Sequence, residues 1–128
     1  MSGQYVEVIS IVAPNEAVAG GIVDVTVTIR NISSYELSAM VGACLEYGVS
    51  PWPEVTFPYN SVTLNPGESH SFNGPFTMPD KDVTIHAYSY WYGTDGYWHF
   101  DDEKTRSVNL TTIEVGFRNL DITSWIKV

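Results

Sequence analysis

The sequence predicts an all-β fold, an antiparallel sandwich of about seven strands carrying a C-terminal strand extension. Three observations predict it. Aromatic residues make up 13% of the chain and charged residues only 16%, a balance that favours sheet over helix. Residues 22–30 alternate between apolar and polar with period two. Turn residues recur roughly every eight to twelve positions, and no clear helix interrupts them. A chain of 128 residues that is 44% hydrophobic is one domain long and buries a core without staples.

Tyr5–Val12 alternates well enough for a first strand, which Pro14-Asn15-Glu16 breaks. Ala19-Gly20-Gly21 reads as a turn or bulge. The clearest strand follows. Val23, Val25, Val27 and Ile29 share one face, and Asp24, Thr26, Thr28 and Arg30 the other, the signature of a half-buried antiparallel strand. Asn31-Ile32-Ser33-Ser34 supplies a turn. Leu37–Tyr47 holds the good helix formers Ala39, Met40, Ala43, Cys44 and Leu45, but its setting among short strands favours strand. Pro51, Pro53 and Pro58 make the middle an edge or loop, because proline donates nothing to a ladder. Ser61–Leu64 is a short strand, Asn65-Pro66-Gly67-Glu68 a turn, and Ser69–Phe76 a strand with Phe72 and Phe76 inward. After the turn Met78-Pro79-Asp80, Asp82–Tyr92 alternates, with Val83, Ile85 and Ala87 opposite Thr84, His86, Tyr88, Tyr90 and Tyr92. Gly93-Thr94-Asp95-Gly96 is a hairpin turn. The return strand begins at Tyr97–Phe100, and Val108 and Leu110 close it.

The net charge is −9, from fifteen acids and six bases. A chain so acidic, with no basic cluster, is not expected to bind nucleic acid or anionic membranes. Cys44 is the single cysteine, so no intrachain disulfide forms. The start Met1-Ser2-Gly3-Gln4 has no basic region and Val6–Val12 carries Glu7. No signal peptide is therefore expected, and the chain is expected to be made in the cytoplasm, acting there or leaving in a virion or released assembly. No run approaches the roughly 18 apolar residues of a membrane span.

Residues 111–128 differ from residues 1–110. Glu114 and Asp121 balance Arg118 and Lys127, so the whole net charge lies in the first part. Ile113, Val115 and Phe117 alternate, and Leu120, Ile122 and Trp125 follow out of phase. A neutral, apolar, strand-forming extension needs a sheet edge to pair with, in its own chain or in a neighbour.

Residues 6–110 resemble a bacterial or archaeal immunoglobulin-like module of the CARDB (cell-adhesion-related) type. The matching pieces are Ala19-Gly20-Gly21 before Val23–Asn31, Leu64-Asn65-Pro66-Gly67-Glu68-Ser69, and Phe76-Thr77-Met78-Pro79 before Asp82–Ile85. The last step is also similar to short immunoglobulin-like proteins of phage. The resemblance implies an immunoglobulin-like sandwich over residues 1–110. It implies no catalytic residues, since such modules serve as spacers, adhesion units and assembly pieces.

Seven of the seventeen aromatic residues lie within Tyr88–Phe100. Tyr88, Tyr90, Trp91, Tyr92 and Trp98 are candidates to stack on sugar rings or anchor a protein interface. The plainer reading is an aromatic ladder that stabilises the hairpin. Asp101-Asp102-Glu103 with Asp95 suggests calcium, but neighbours on a strand point to opposite faces, and a solvated acidic loop is the simpler reading. His70, His86 and His99 are far apart in sequence, and Cys44 is the only thiol, too few ligands for zinc. No Gly-x-Ser-x-Gly motif or phosphate-binding glycine loop is present. Asn31-Ile32-Ser33 and Asn109-Leu110-Thr111 fit the glycosylation pattern but carry no weight alone.

The expectation is a non-enzymatic structural or assembly protein without cofactor or metal. It would self-associate, or join other structural proteins, by adding its C-terminal strand to a neighbour's edge. Ile113, Val115, Phe117, Leu120, Ile122 and Trp125 would be the anchors. A capsid decoration or filament subunit suits it. The alternative is a carbohydrate-binding or adhesion module using the aromatic hairpin.

Overall fold

The computed structural model describes residues 3–112. Ile113, Val115, Phe117, Leu120, Ile122 and Trp125, the expected anchors, lie outside the described residues. The strands are β1 (Val6–Val12), β2 (Glu16–Val18), β3 (Ile22–Asn31), β4 (Leu37–Glu46), β5 (Ser61–Leu64), β6 (Ser69–Thr77), β7 (Val83–Tyr92) and β8 (Trp98–Thr111). They form a three-stranded sheet, β1-β3-β6, and a five-stranded sheet, β2-β8-β7-β4-β5. The fold is the expected all-β sandwich.

The core lies between the sheets. The alternation of β3 puts Val23, Val25, Val27 and Ile29 inside, beside Val6 and Val8 of β1 and Phe72 and Phe76 of β6. The other sheet answers with Ala39, Val41, Ala43 and Leu45 of β4, Val83, Ile85 and Ala87 of β7, and Val108 of β8. The helix formers of β4 are thus small inward residues, and tertiary packing overrides their propensity. Gly74 of β6 has a packing reason. A Cβ there would lie 2.8 Å from the Thr56 carbonyl oxygen and 2.9 Å from the Phe57 ring, so glycine lets residues 55–57 cross over β6.

The proline-rich middle is a loop anchored to β4. The Leu45 amide donates to the Pro53 carbonyl, the Val55 amide to Ala43 and the Val41 amide to Asn60. Val55 thereby enters the core while Trp52 stays exposed.

Eight strands are present among the described residues, against about seven expected. The extra one is β2, which pairs parallel with the end of β8, Glu16 opposite Asn109 and Val18 opposite Thr111. Three residues after a proline carry no readable alternation. The chain crosses from one sheet to the other at Ala13-Pro14-Asn15, and the Arg106 guanidinium holds the crossing. It donates to the Ile11 carbonyl at 3.3 Å, to the Ala13 carbonyl and to the Asn15 side chain at 2.9 Å.

Two buried polar sites close the sandwich. Asn31 is fully buried. Its amide nitrogen donates to the carbonyls of Tyr35 and Leu64, and its oxygen accepts from the Ser33 amide and hydroxyl. Its side chain thus joins the β3–β4 turn to the end of β5, which leaves no free amide for a glycan at this sequon.

The second site lies on β8. Ser89 pairs with Asp102 but Tyr90 pairs with Phe100, so Asp101 is the extra residue of a β-bulge. The bulge lets two consecutive carboxylates turn toward β1. Asp101 accepts from the amides of Gln4, Tyr5 and Val6 at 2.6–2.8 Å. Asp102, buried, accepts from the Val8 amide at 2.9 Å. Ser89 donates to the Val6 carbonyl at 2.7 Å and accepts from the Asp102 amide at 3.1 Å. The expected solvated acidic loop is therefore corrected. These residues sit in a strand and terminate the free edge of β1.

Removing Asp102 leaves the buried Val8 amide unsatisfied. Asp102→Ala is expected to lower unfolding free energy by about 3 kcal/mol and Ser89→Ala by about 1–2 kcal/mol. Urea denaturation checks both, with the double variant falling short of the sum because the groups share one network.

Candidate functional site

The outer face of the five-stranded sheet concentrates the aromatic residues. On β7 and β8, Tyr92 lies opposite Trp98 and Tyr90 opposite Phe100. Tyr92 and Trp98 meet edge to face with centroids 5.1 Å apart, and Phe100 takes Tyr88 and Tyr90 at 5.9 and 6.1 Å, also edge to face. This is the cross-strand ladder, each pair adding about 0.5–1.5 kcal/mol beyond its burial. The rings also remain accessible. Tyr92 is 46%, Trp98 38% and Phe100 56% exposed.

Trp91 departs from the expected group. It pairs with His99 and stacks on that ring at 4.4 Å, while Tyr5 meets it edge-on at 4.7 Å. It packs against the core. Tyr88, Tyr90, Tyr92 and Trp98 are brought together, and Trp91 is not among them. His99 is held in turn by Asp95, whose carboxylate lies 2.9 Å from Nε2 and also accepts from the Tyr97 amide. The His99 hydrogen bond first, then the Tyr97 amide, holds the Asp95 carboxyl below its usual value.

Three elements join the face without having been foreseen. Phe100 was legible as the partner of Tyr90 once the hairpin loop is counted, but the bulge at Asp101 obscures its phase. Trp52, 40% exposed, stacks on His86 at 4.5 Å, and nothing in the proline-rich stretch signals it. Gly42 is the third. A Cβ there would lie 3.4 Å from Cε1 of Tyr90 and 4.0 Å from Cδ2 of Tyr88, so both tyrosines lean over β4.

Beside these rings runs an open groove of about 330 Å³, lined by Gly42, Cys44, Glu54, Phe57, Tyr88 and Tyr90 among others. Its thiol and phenols resist ionisation. Burial pushes the Tyr88 hydroxyl up to about 12, helped by Cys44, Glu103, Tyr90 and Glu46. Burial and then Glu54 raise the Cys44 thiol, which favours the neutral form over the thiolate a nucleophile needs.

His86 lies at one end of the face, its side chain 13% exposed and held by two carboxylates. Nδ1 is 2.7 Å from Glu103 and Nε2 2.8 Å from Glu46. Burial opposes its protonation, but the hydrogen bonds and charges of Glu103 and Glu46 outweigh it and raise its pKa above 6.5. Among the described residues, no group of three or more His, Cys, Asp or Glu side chains is disposed to hold a metal ion.

The raised His86 pKa sets a pH dependence. The stability that protonated His86 contributes, with both glutamates ionised, is complete below 6.5 and is lost as pH rises through the elevated folded value. Melting temperature followed upward from pH 6 is expected to fall in the wild type. In His86→Gln that component of the fall disappears.

No family model matches the chain, and none of the curated proteins matches it. Solved structures do. The CARDB domain of a Pyrococcus furiosus protein, solved in complex with di-metal ions, superposes with TM-score 0.61 at 13% identity over 87% of this chain and 93% of that one. The ASH/PapD-like domain of human CEP192 gives 0.53 at 10% identity over 89% of each chain. A superoxide reductase (neelaredoxin) from Ignicoccus hospitalis gives 0.54 at 14% identity over 84% of this chain and 83% of that one. At such identities the likeness concerns architecture alone. Together with the strand order it establishes that the chain is a β-sandwich with a CARDB-like immunoglobulin fold.

Proposed function

We propose that the chain is a non-catalytic assembly module that binds protein partners through the aromatic outer face of its five-stranded sheet. The observation that carries this is the contiguous exposure of Tyr92, Trp98 and Phe100, continued by Tyr88 and Tyr90 along the groove. Contiguous apolar patches rimmed by polar groups mark interaction surfaces. Tyrosine and tryptophan supply such contacts at low entropic expense. The neutral state favoured at Cys44 and the mutual pairing of His86, Glu46 and Glu103 support a binding role over a nucleophilic one.

A sugar platform is less well supported, because the outer rings meet edge to face and present relief instead of coplanar ring faces. Self-association through residues 113–128 is a second reading. One residue, Thr112, separates the end of β8 from the alternating Ile113, Val115 and Phe117. That segment has the pattern of a strand to be donated to a neighbour's edge. A virion decoration or filament subunit is the setting in which both readings operate.

Cross-linking in a lysate of the source, followed by reconstitution with the purified captured protein, tests the first reading. Trp98→Ser with Phe100→Ser is expected to weaken the reconstituted complex at least about tenfold. Unchanged affinity overturns it, and retention on a polysaccharide gel that the same variant abolishes replaces protein by glycan. Light scattering of the full chain beside one ending at Thr112 tests the second reading. Only the full chain is expected to form oligomers, and two monomers overturn it.

A further inference from the structure

The groove between β4, β7 and the loop after β4 combines three features. Aromatic walls come from Tyr88 and Tyr90, and a carboxylate comes from Glu54. Open width comes from Gly42, which bears no side chain. None of the lining residues is a lysine or arginine. Glu46 and Glu103 lie next along the face, around His86. Glu54 therefore gives the groove a negative charge of its own, on a chain of net charge −9. The upward shifts of the Cys44, Tyr88 and Tyr90 pKa values agree, since glutamates add to burial in each of them. Its volume, about 330 Å³, lies at the lower end of small-ligand pockets and suits one long side chain.

We propose that this groove receives the cationic head of an arginine or lysine carried by a basic segment of a protein partner. The inference rests on the reading of this sheet face as the binding surface and names the chemistry of what binds. The tyrosine faces attract the cation through their quadrupoles. Glu54 supplies the counter-charge, and Met40 and Phe57 receive the aliphatic stem. Charge complementarity also favours another protein as the source. The chain's own residues 111–128 are neutral, with Arg118 and Lys127 offset by Glu114 and Asp121. A basic partner gains long-range steering toward an acidic module, which salt weakens.

The test titrates full-length protein with a tetraarginine peptide, following amide shifts by NMR and affinity by calorimetry. Expected are shifts centred on Gly42, Cys44, Glu54, Tyr88 and Tyr90, with none from a tetraglutamine peptide. Glu54→Gln is expected to weaken binding about three- to fivefold, the worth of one partly exposed charge contact. Gly42→Val, which fills the groove without touching a charge, is expected to weaken it further. Asp24→Asn removes the same charge from an exposed position of β3 on the opposite sheet and is expected to leave affinity unchanged. The inference is overturned if Asp24→Asn weakens binding as much as Glu54→Gln, if the shifts centre elsewhere, or if no binding occurs at millimolar peptide. If tetraarginine fails while Trp98→Ser with Phe100→Ser still breaks a reconstituted complex, the face remains the binding surface and the cation is wrong.

Discussion

The free edge of β1 is the constraint on which the rest of this sandwich depends. Its inner side is paired with β3, but the amides of Val6 and Val8 point toward the other sheet, where no strand meets them in register. Buried amides must find acceptors. The chain supplies two carboxylates for them, and the Ser89 hydroxyl donates to the Val6 carbonyl beside them; both carboxylates reach only because β8 bulges at Asp101. That single extra residue resets the phase of β8. It places Phe100 and Glu103 on the outer face together, so Phe100 meets the tyrosines and Glu103 meets His86. A solution to a hydrogen-bonding problem inside thus composes the surface outside.

Legibility followed the same physics. β3 announces itself because Val23, Val25, Val27 and Ile29 are β-branched and point inward while Asp24, Thr26, Thr28 and Arg30 between them are polar, and its partner β6 is readable from Phe72 and Phe76. The β4 assignment needed context, since small inward residues mimic helix composition. What stayed hidden was whatever depends on a residue far away in sequence. β2 exists only because β8 offers it an edge. Asn31 looks like a glycan acceptor until Tyr35 and Leu64 are placed beside it. The pair Asp101-Asp102 looks like a solvated loop until β1 arrives some 95 residues earlier in the chain.

The aromatic cluster was legible as a cluster but not as a surface. Alternation correctly places Tyr88, Tyr90 and Tyr92 on one face with His86. It also places Trp91 on the other, where Tyr5 and His99 enclose it. The residues that turn a ladder into a groove, Gly42 and Trp52, belong to other elements, and no local pattern marks either one. Glycine matters here for the volume it leaves, which is the least readable contribution a residue makes.

The pairing of β2 with β8 carries a mechanical consequence. The two strands run parallel, and the chain enters β2 at the end from which β8 approaches and leaves β8 at the end where β2 finishes. Tension between Glu16 and Thr111 pulls β2 and β8 past each other lengthwise. Their backbone bonds, with the Thr111 hydroxyl on Glu16 and the Asn109 amide on the Asn15 carbonyl, are loaded side by side and yield as a group instead of peeling one by one. A short parallel strand of three residues thereby gives this edge of the sheet a shear geometry instead of a zipper.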